Sequence, residues 1–298
     1  MRYIRRTWPF HLMLLPALVF LIVFNYVPMG GIVMAFQDYK PWLHIGGSPW
    51  IGLDNFRLLF ERHDSIQVIW NTFLIAVLKI AFNLITPFAF AILLNEVRQR
   101  LLSRSIQTLV YLPHFLSWVI LGGILLEFLS ADGGFVNRML HAAFGIKPIP
   151  FLGDGDWFRF TVIASEVWKE FGYGTIVFLA ALAGINPSLY EAAEMDGASR
   201  WKQTLHITIP SLLPIAVVVG TLSLGNILNA GFDQIFNLYN ALVMDKGDII
   251  DTFVYRTAIS DGQFGFATAV GLFKSVISMI LIVISYRLAY KWANYRVF

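Results

Sequence analysis

The sequence predicts an all-α integral membrane protein with six transmembrane helices, and three observations carry that expectation. Of the 298 residues, 57% are hydrophobic and only 14% charged, against roughly 25% charged in an average soluble domain. With a mean hydropathy of +0.65, the chain has too little polar surface to enclose a soluble core. Six stretches reach the roughly 20 apolar residues that cross a bilayer: 12–36, 69–94, 106–128, 160–185, 211–231 and 266–286. No linker, repeat or low-complexity tract divides them, so residues 1–298 read as one transmembrane domain.

The first stretch follows Arg2, Arg5 and Arg6, as a signal peptide would. Its apolar run exceeds the about 7–15 residues of a cleaved segment and no small-residue cleavage site follows, so it reads as a retained helix. The basic residues set the orientation. With both termini cytoplasmic, segments 1–11, 95–105, 186–210 and 287–298 hold 11 Lys and Arg in 59 residues. The outer segments 37–68, 129–159 and 232–265 hold 8 in 97, less than half that density. Trp42, Trp50 and Trp157 lie just beyond predicted helix ends, where aromatic belts form. The three outer segments have room for short interfacial helices, and Asp54 reads as the N-cap of an amphipathic turn over 55–60.

Loop 186–210 between the fourth and fifth stretches is polar yet helix-forming. Pro187 suits a first helical turn, Ser188 and Glu191 have capping-box spacing, and residues 189–195 are good helix formers. Gly197 is placed to stop that helix in the left-handed conformation. Residues 198–207 then predict a second short helix, with Ile209 and Pro210 leading into the fifth span. Two short helices joined at a glycine form a rigid cytoplasmic knob on which a soluble partner can dock.

The loop also carries a family resemblance. Glu191, Ala192, Ala193, Gly197, Ile207 and Pro210 match the pattern E-A-A-x3-G-x9-I-x-L-P of ATP-binding-cassette importer permeases, with Ile209 in place of the usual leucine. Segments 26–30, 36–39, 52–56, 111–113 and 168–174 resemble the carbohydrate, maltose-permease-like branch, and within it the permeases of oligo- and polysaccharides such as alginate. The resemblance implies a type I importer permease fold whose first loop helix couples to a cytoplasmic ATPase. Glu191 would touch that ATPase, Ala192 and Ala193 would allow close approach, and Gly197 would set the bend. It also implies a second homologous permease subunit, two ATPase subunits, an extracytoplasmic solute-binding protein and residence in the bacterial inner membrane. No G-x4-G-K-[ST] phosphate loop is present, so ATP and Mg are expected on the partner ATPase and no cofactor on this chain.

Other chemistries find little support. Cysteine is absent and the six histidines never fall at metal-ligand spacing. The net charge of +3 is spread too thinly for nucleic-acid binding. Residues 196–200 match a phosphatidyl transferase opening only in part, with Ala198 and Arg200 out of place, so a lipid transferase is a weak rival. A stand-alone secondary carrier is the other alternative, but it has no use for the coupling loop.

Ionisable groups inside a span are costly and face a bundle interior or a water-filled path. Glu166, Lys169 and Glu170 are spaced to share a face of the fourth helix, either as a substrate-contacting patch or as an ion pair that holds the bundle. Lys79 and Lys274 lean to structure. On the fifth stretch Ser223, Asn226, Asn229 and Asp233 recur every three or four residues, predicting a polar stripe that lines a sugar path or bonds between helices. By the family resemblance Tyr173 and Ser223 would line the path, and Tyr173 could stack on a sugar ring. The basic residues permit an acidic oligosaccharide such as a uronate fragment.

Overall fold

The computed structural model describes residues 2–293. Of the basic residues used to orient the chain, Arg296 lies outside the described residues, and the Arg2, Arg5, Arg6 and Lys291 side chains are likewise outside them. Packing divides the chain into two compact units, one holding the chain up to Ile66 with Phe253–Lys274, the other Gln67–Thr252 with the chain from Ser275 onward.

In the first unit, α1 (Phe10–Phe36) is long and apolar enough to cross a membrane, and it is exposed along residues 10–30. A helix apolar all round without protein cover is built for a lipid environment. Its end is tied down by a buried amide. Asn55, on α2 (Asp54–Glu61), donates to the Ala35 carbonyl at 2.9 Å and the Gln37 carbonyl at 3.1 Å. Phe36 packs between Trp50 and Phe56, with ring centroids 5.7 and 5.5 Å away. The amphipathic turn predicted here exists, but its cap position is Leu53. Asp54 is already the first helical residue and makes no cap bond.

The second unit takes most of α3 (His63–Asn95), then α4 (Arg100–Tyr111) and α5 (Trp118–Phe128). The third predicted stretch, 106–128, is therefore not one straight helix: it bends by 99° around residues 112–117. Pro113 supplies no N–H for the ladder, and Ser117 starts α5 afresh by accepting from the Ile120 N–H. α6 (Phe135–Phe144) lies in the segment between α5 and the next long helix. α7 (Gly155–Ala183) begins earlier than 160 because Asp154 accepts from the N–H groups of Asp156 and Trp157. α8 (Pro187–Met195) follows after a 67° bend. α9 (Arg200–Leu224), α10 (Phe232–Leu238) and α11 (Phe264–Ala293), which starts in the first unit, follow in order.

The fifth predicted stretch, 211–231, is corrected at both ends. The second loop helix is not separate but runs into the span as one helix, α9, through a π-turn at Thr204–Thr208. The wider turn sits just ahead of Pro210, whose ring would crowd the carbonyl four residues back in a regular helix. At the other end α9 stops at Leu224, and Gly231 takes a left-handed φ of 92° before α10.

A buried cluster of Ile75, Phe158, Val162, Ile235, Leu238 and Ile249 joins α3, α7 and α10. A second one, Ala91, Phe178, Leu182 and Leu212, joins α3, α7 and α9. Two glycines let helices approach α7 closely. A Cβ on Gly172 would strike the Val110 carbonyl of α4, and one on Gly174 would come within 3.1 Å of Pro87 on α3. Substituting Gly172→Leu should therefore force α4 off α7 and lower the thermal midpoint of the purified protein by several degrees. Gly123→Leu, which meets nothing within 4 Å, should leave it nearly unchanged.

Candidate functional site

Loop 186–210 is a defined motif. Asn186 caps α8 by accepting from the Ser188 N–H at 3.1 Å, so the capping box expected of Ser188 and Glu191 does not form. Ser188 is the second helical residue and cannot serve as its own cap. The helix ends as the glycine predicts. Gly197 has φ 72°, its N–H bonds to the Glu194 carbonyl at 3.0 Å, and the Ala198 N–H bonds to the Ala193 carbonyl at 2.9 Å. These paired bonds make a Schellman stop. Tyr190 and Thr208 share a hydroxyl hydrogen bond at 2.9 Å, and Arg200 pairs with Glu96 at 3.2 Å, fixing the loop to α9 and to the end of α3.

Glu191 and Ala192 are exposed and Ala193 half-buried on α8, with Gly197 exposed at its end. Ile207 is half-buried and Pro210 exposed, both within α9. Met195 is 88% exposed and Trp201 73% exposed, large apolar groups standing clear of the protein in a polar loop.

Within the spans, the buried charges are matched to breaks in the helices. Lys79 on α3 donates to the Ala230 carbonyl at 2.6 Å and to the Gln234 side chain, with Glu166 of α7 3.8 Å away. Ala230 lies in the unwound stretch between α9 and α10. Gln234 donates in turn to the Val162 carbonyl at 2.7 Å and to Ser165 at 2.9 Å. Lys169 on α7 donates to the His114 carbonyl at 2.9 Å and to Glu170 at 2.8 Å, and lies over the Trp118 ring. His114 sits at the bend between α4 and α5. Its Nδ1 is 2.7 Å from Glu170, and its ring stacks on Tyr173 at 4.0 Å between centroids.

These contacts divide the predicted charged face of α7. Glu166 turns to Lys79, whereas Lys169 and Glu170 turn to His114, because each freed carbonyl draws its own donor. Helical spacing alone could not distinguish these partners.

The polar stripe of the fifth stretch is also not one helix face. Ser223 is on α9 with its hydroxyl bonded back to the Val219 carbonyl at 2.9 Å. Asn226 and Asn229 are exposed in the turn after Leu224, and Asp233 is exposed in the first turn of α10. Lys274 is half-buried on α11. His114 and Gln234 were not singled out from sequence, although both are polar residues beside a helix breaker, Pro113 and Gly231, in apolar surroundings. Among the described residues no group of three or more His, Asp or Glu side chains is placed to hold a metal ion.

Residues 83–298 match the family described as "Binding-protein-dependent transport system inner membrane component". The chain is 42% identical over 284 residues to the polygalacturonan/rhamnogalacturonan transport system permease protein YteP of Bacillus subtilis (strain 168), covering 95% of this chain and 88% of that one. It is also similar to a chain in the crystal structure of a bacterial ABC transporter involved in the import of the acidic polysaccharide alginate. That similarity has a TM-score of 0.89 and 37% identity, covering 98% of both chains. A second structure, a bacterial alginate ABC transporter in complex with an alginate pentasaccharide-bound periplasmic protein, matches with a TM-score of 0.89 and 36% identity over 99% of both chains.

The Lys79 network is the clearest target for a stability test. Lys79→Met would leave Glu166 without its counter-ion and the Ala230 carbonyl without its donor. It should destabilise the purified protein by about 3–5 kcal/mol, the range for breaking a buried pair. The double variant with Glu166→Gln should regain part of that loss, read as thermal midpoints in one detergent.

Proposed function

The chain belongs to the family of binding-protein-dependent transport system inner membrane components, and on that footing we propose that it is the permease subunit of an ATP-driven oligosaccharide importer. It is a multi-pass membrane protein and a transport subunit, not an enzyme. A separate ATPase supplies hydrolysis, and ATP and Mg belong to that partner, with no cofactor on this chain. The stand-alone carrier and the lipid transferase are set aside by the family.

The assembly we propose has two homologous permeases, two ATPase subunits and an extracytoplasmic binding protein, in the bacterial inner membrane with both termini cytoplasmic. Residues 1–298 act in it as one transmembrane domain. Closure of the ATPase pair would move the docked loop, and the helices would rock between inward- and outward-facing states. A conformational change of this kind needs contacts that differ between the two states, and the loop is where the ATPase provides them.

The observation that carries this reading is the E-A-A…G loop, an exposed helix closed by a left-handed glycine and rimmed by bare apolar side chains. A rigid protrusion transmits displacement, whereas a flexible loop would absorb it. Glu191, Ala192, Ala193, Gly197, Ile207 and Pro210 are its coupling residues.

For the sugar path we propose Tyr173, Ser223, Asn226, Asn229 and Asp233. Hydroxyl, amide and carboxylate groups together supply the donors and acceptors that sugar hydroxyls require. Glu166, Lys169 and Glu170 border that path but already have protein partners. Polygalacturonan and alginate are both built from uronic acids, which favours an acidic oligosaccharide as cargo. Since Lys79 and Lys169 are occupied by protein carbonyls and carboxylates, selection by charge falls mainly to the binding protein.

Two experiments test the loop. The chain has no cysteine, so Met195→Cys introduces a single thiol, and it should react with an impermeant maleimide only from the cytoplasmic side. Labelling from outside would refute the orientation. Gly197→Val places a β-branched residue at a left-handed position and strains the helix stop by about 1–2 kcal/mol. The complex should still assemble, with uptake falling at least about tenfold relative to ATP hydrolysis, as the strained stop misaligns α8 on the ATPase. Unchanged coupling would remove the loop from the mechanism.

A further inference from the structure

Tyr173 is half exposed although its ring stacks against another aromatic group, because only one of its two faces is taken. The covering group is the His114 imidazole, 4° from parallel and 4.0 Å away between centroids. That imidazole is held from several directions. Its Nδ1 shares a 2.7 Å hydrogen bond with the Glu170 carboxyl group. Phe115 meets the ring edge-on at 5.4 Å. Lys169 holds the His114 carbonyl at 2.9 Å, fixing the backbone from which the ring projects. Among the described residues the Tyr173 hydroxyl makes no hydrogen bond, and the ring is oriented by His114 and by its own helix.

We propose that His114 is a positioning residue of the sugar path: it backs the Tyr173 ring and so presents the ring's open face to the saccharide. This role rests on the oligosaccharide-permease reading. An aromatic ring offers a sugar a flat apolar surface, but a phenol free to rotate must be ordered each time a sugar arrives, and that ordering weakens the contact. A ring held from behind has already lost that freedom. The residue placed to do so is not on the helix of Tyr173. It comes from the bend of the third span, so the platform forms only when α4, α5 and α7 are packed together. On this view Lys169 and Glu170 act on the sugar through His114 rather than by touching it.

The test is a double-mutant cycle in proteoliposomes containing the permease pair, the ATPase subunits and the cognate binding protein. ATP is enclosed, and uptake of a labelled oligogalacturonide or an alginate oligosaccharide is measured per assembled complex. His114→Ala should lower the initial rate about 3- to 10-fold, the range expected from losing one aromatic stack. Tyr173→Ala should lower it at least as much, and adding His114→Ala to Tyr173→Ala should cost nothing further, because the two act as one unit. His114→Phe, which keeps a stacking ring but not the Glu170 bond, should recover most of the rate. Additive losses, or a His114→Ala complex that imports at the normal rate, would overturn the positioning role. If the unmodified complex imports neither saccharide, the oligosaccharide reading fails and this role fails with it.

Discussion

A broken helix inside a bilayer leaves carbonyl groups that no water can reach, and the rest of this structure is arranged around meeting them. Non-helical backbone at membrane depth persists only where it lines a water-filled cavity or where protein groups supply the missing partners. Here two buried lysines do so. Lys79 reaches the Ala230 carbonyl in the gap between α9 and α10, and Lys169 reaches the His114 carbonyl at the bend between α4 and α5. Each ammonium also has a carboxylate near by, Glu166 in one case and Glu170 in the other, which offsets the cost of burying the charge.

Both carboxylates and one of the lysines project from α7, which makes that helix the centre of the second unit. It contributes Phe158 and Val162 to one buried cluster and Phe178 and Leu182 to the other. Its glycines allow α4 and α3 to approach, and Gly172 is followed directly by the half-exposed Tyr173. Close packing, charge pairing and the proposed sugar contact therefore fall within a few residues. A helix that must do all three has little freedom to vary, and the run 166–174 is where those demands coincide.

Loop 186–210 follows a different principle. It is exposed, so its shape comes from local backbone chemistry: Asn186 at the start of α8, the glycine stop at Gly197, and the Tyr190–Thr208 hydroxyl pair that ties it to the next helix. Local rules read well from sequence. That is why Gly197 and the first turn at Pro187 were identified correctly, whereas the capping box was assigned to Ser188 although Asn186 is the cap: both are good cap residues, and only the path of the chain decides between them. The rule failed where distant contacts decide. Asn226, Asn229 and Asp233 have helical spacing, but the helix stops at Leu224, and the segment beyond it is held from across the unit by Lys79 on the Ala230 carbonyl and by the Val162 carbonyl, which accepts from Gln234. Glu166 and Lys169 likewise look like neighbours on one face, yet Glu166 is drawn to Lys79 and Lys169 to the His114 carbonyl.

What the sequence alone determined is what depends on composition and short-range spacing: a membrane protein, the approximate spans, the helix stop at Gly197, and the importer-permease loop. Apolar length and glycine geometry act over a few residues, so their consequences are visible in the linear chain. The tertiary structure decided where the third and fifth spans break, which carboxylate answers which lysine, and that His114 lies behind Tyr173. Those outcomes come from competition for hydrogen-bond partners among groups 55 to 155 residues apart, such as the 151 residues separating Lys79 from Ala230. Where water is excluded that competition is strong, and only the folded arrangement resolves it.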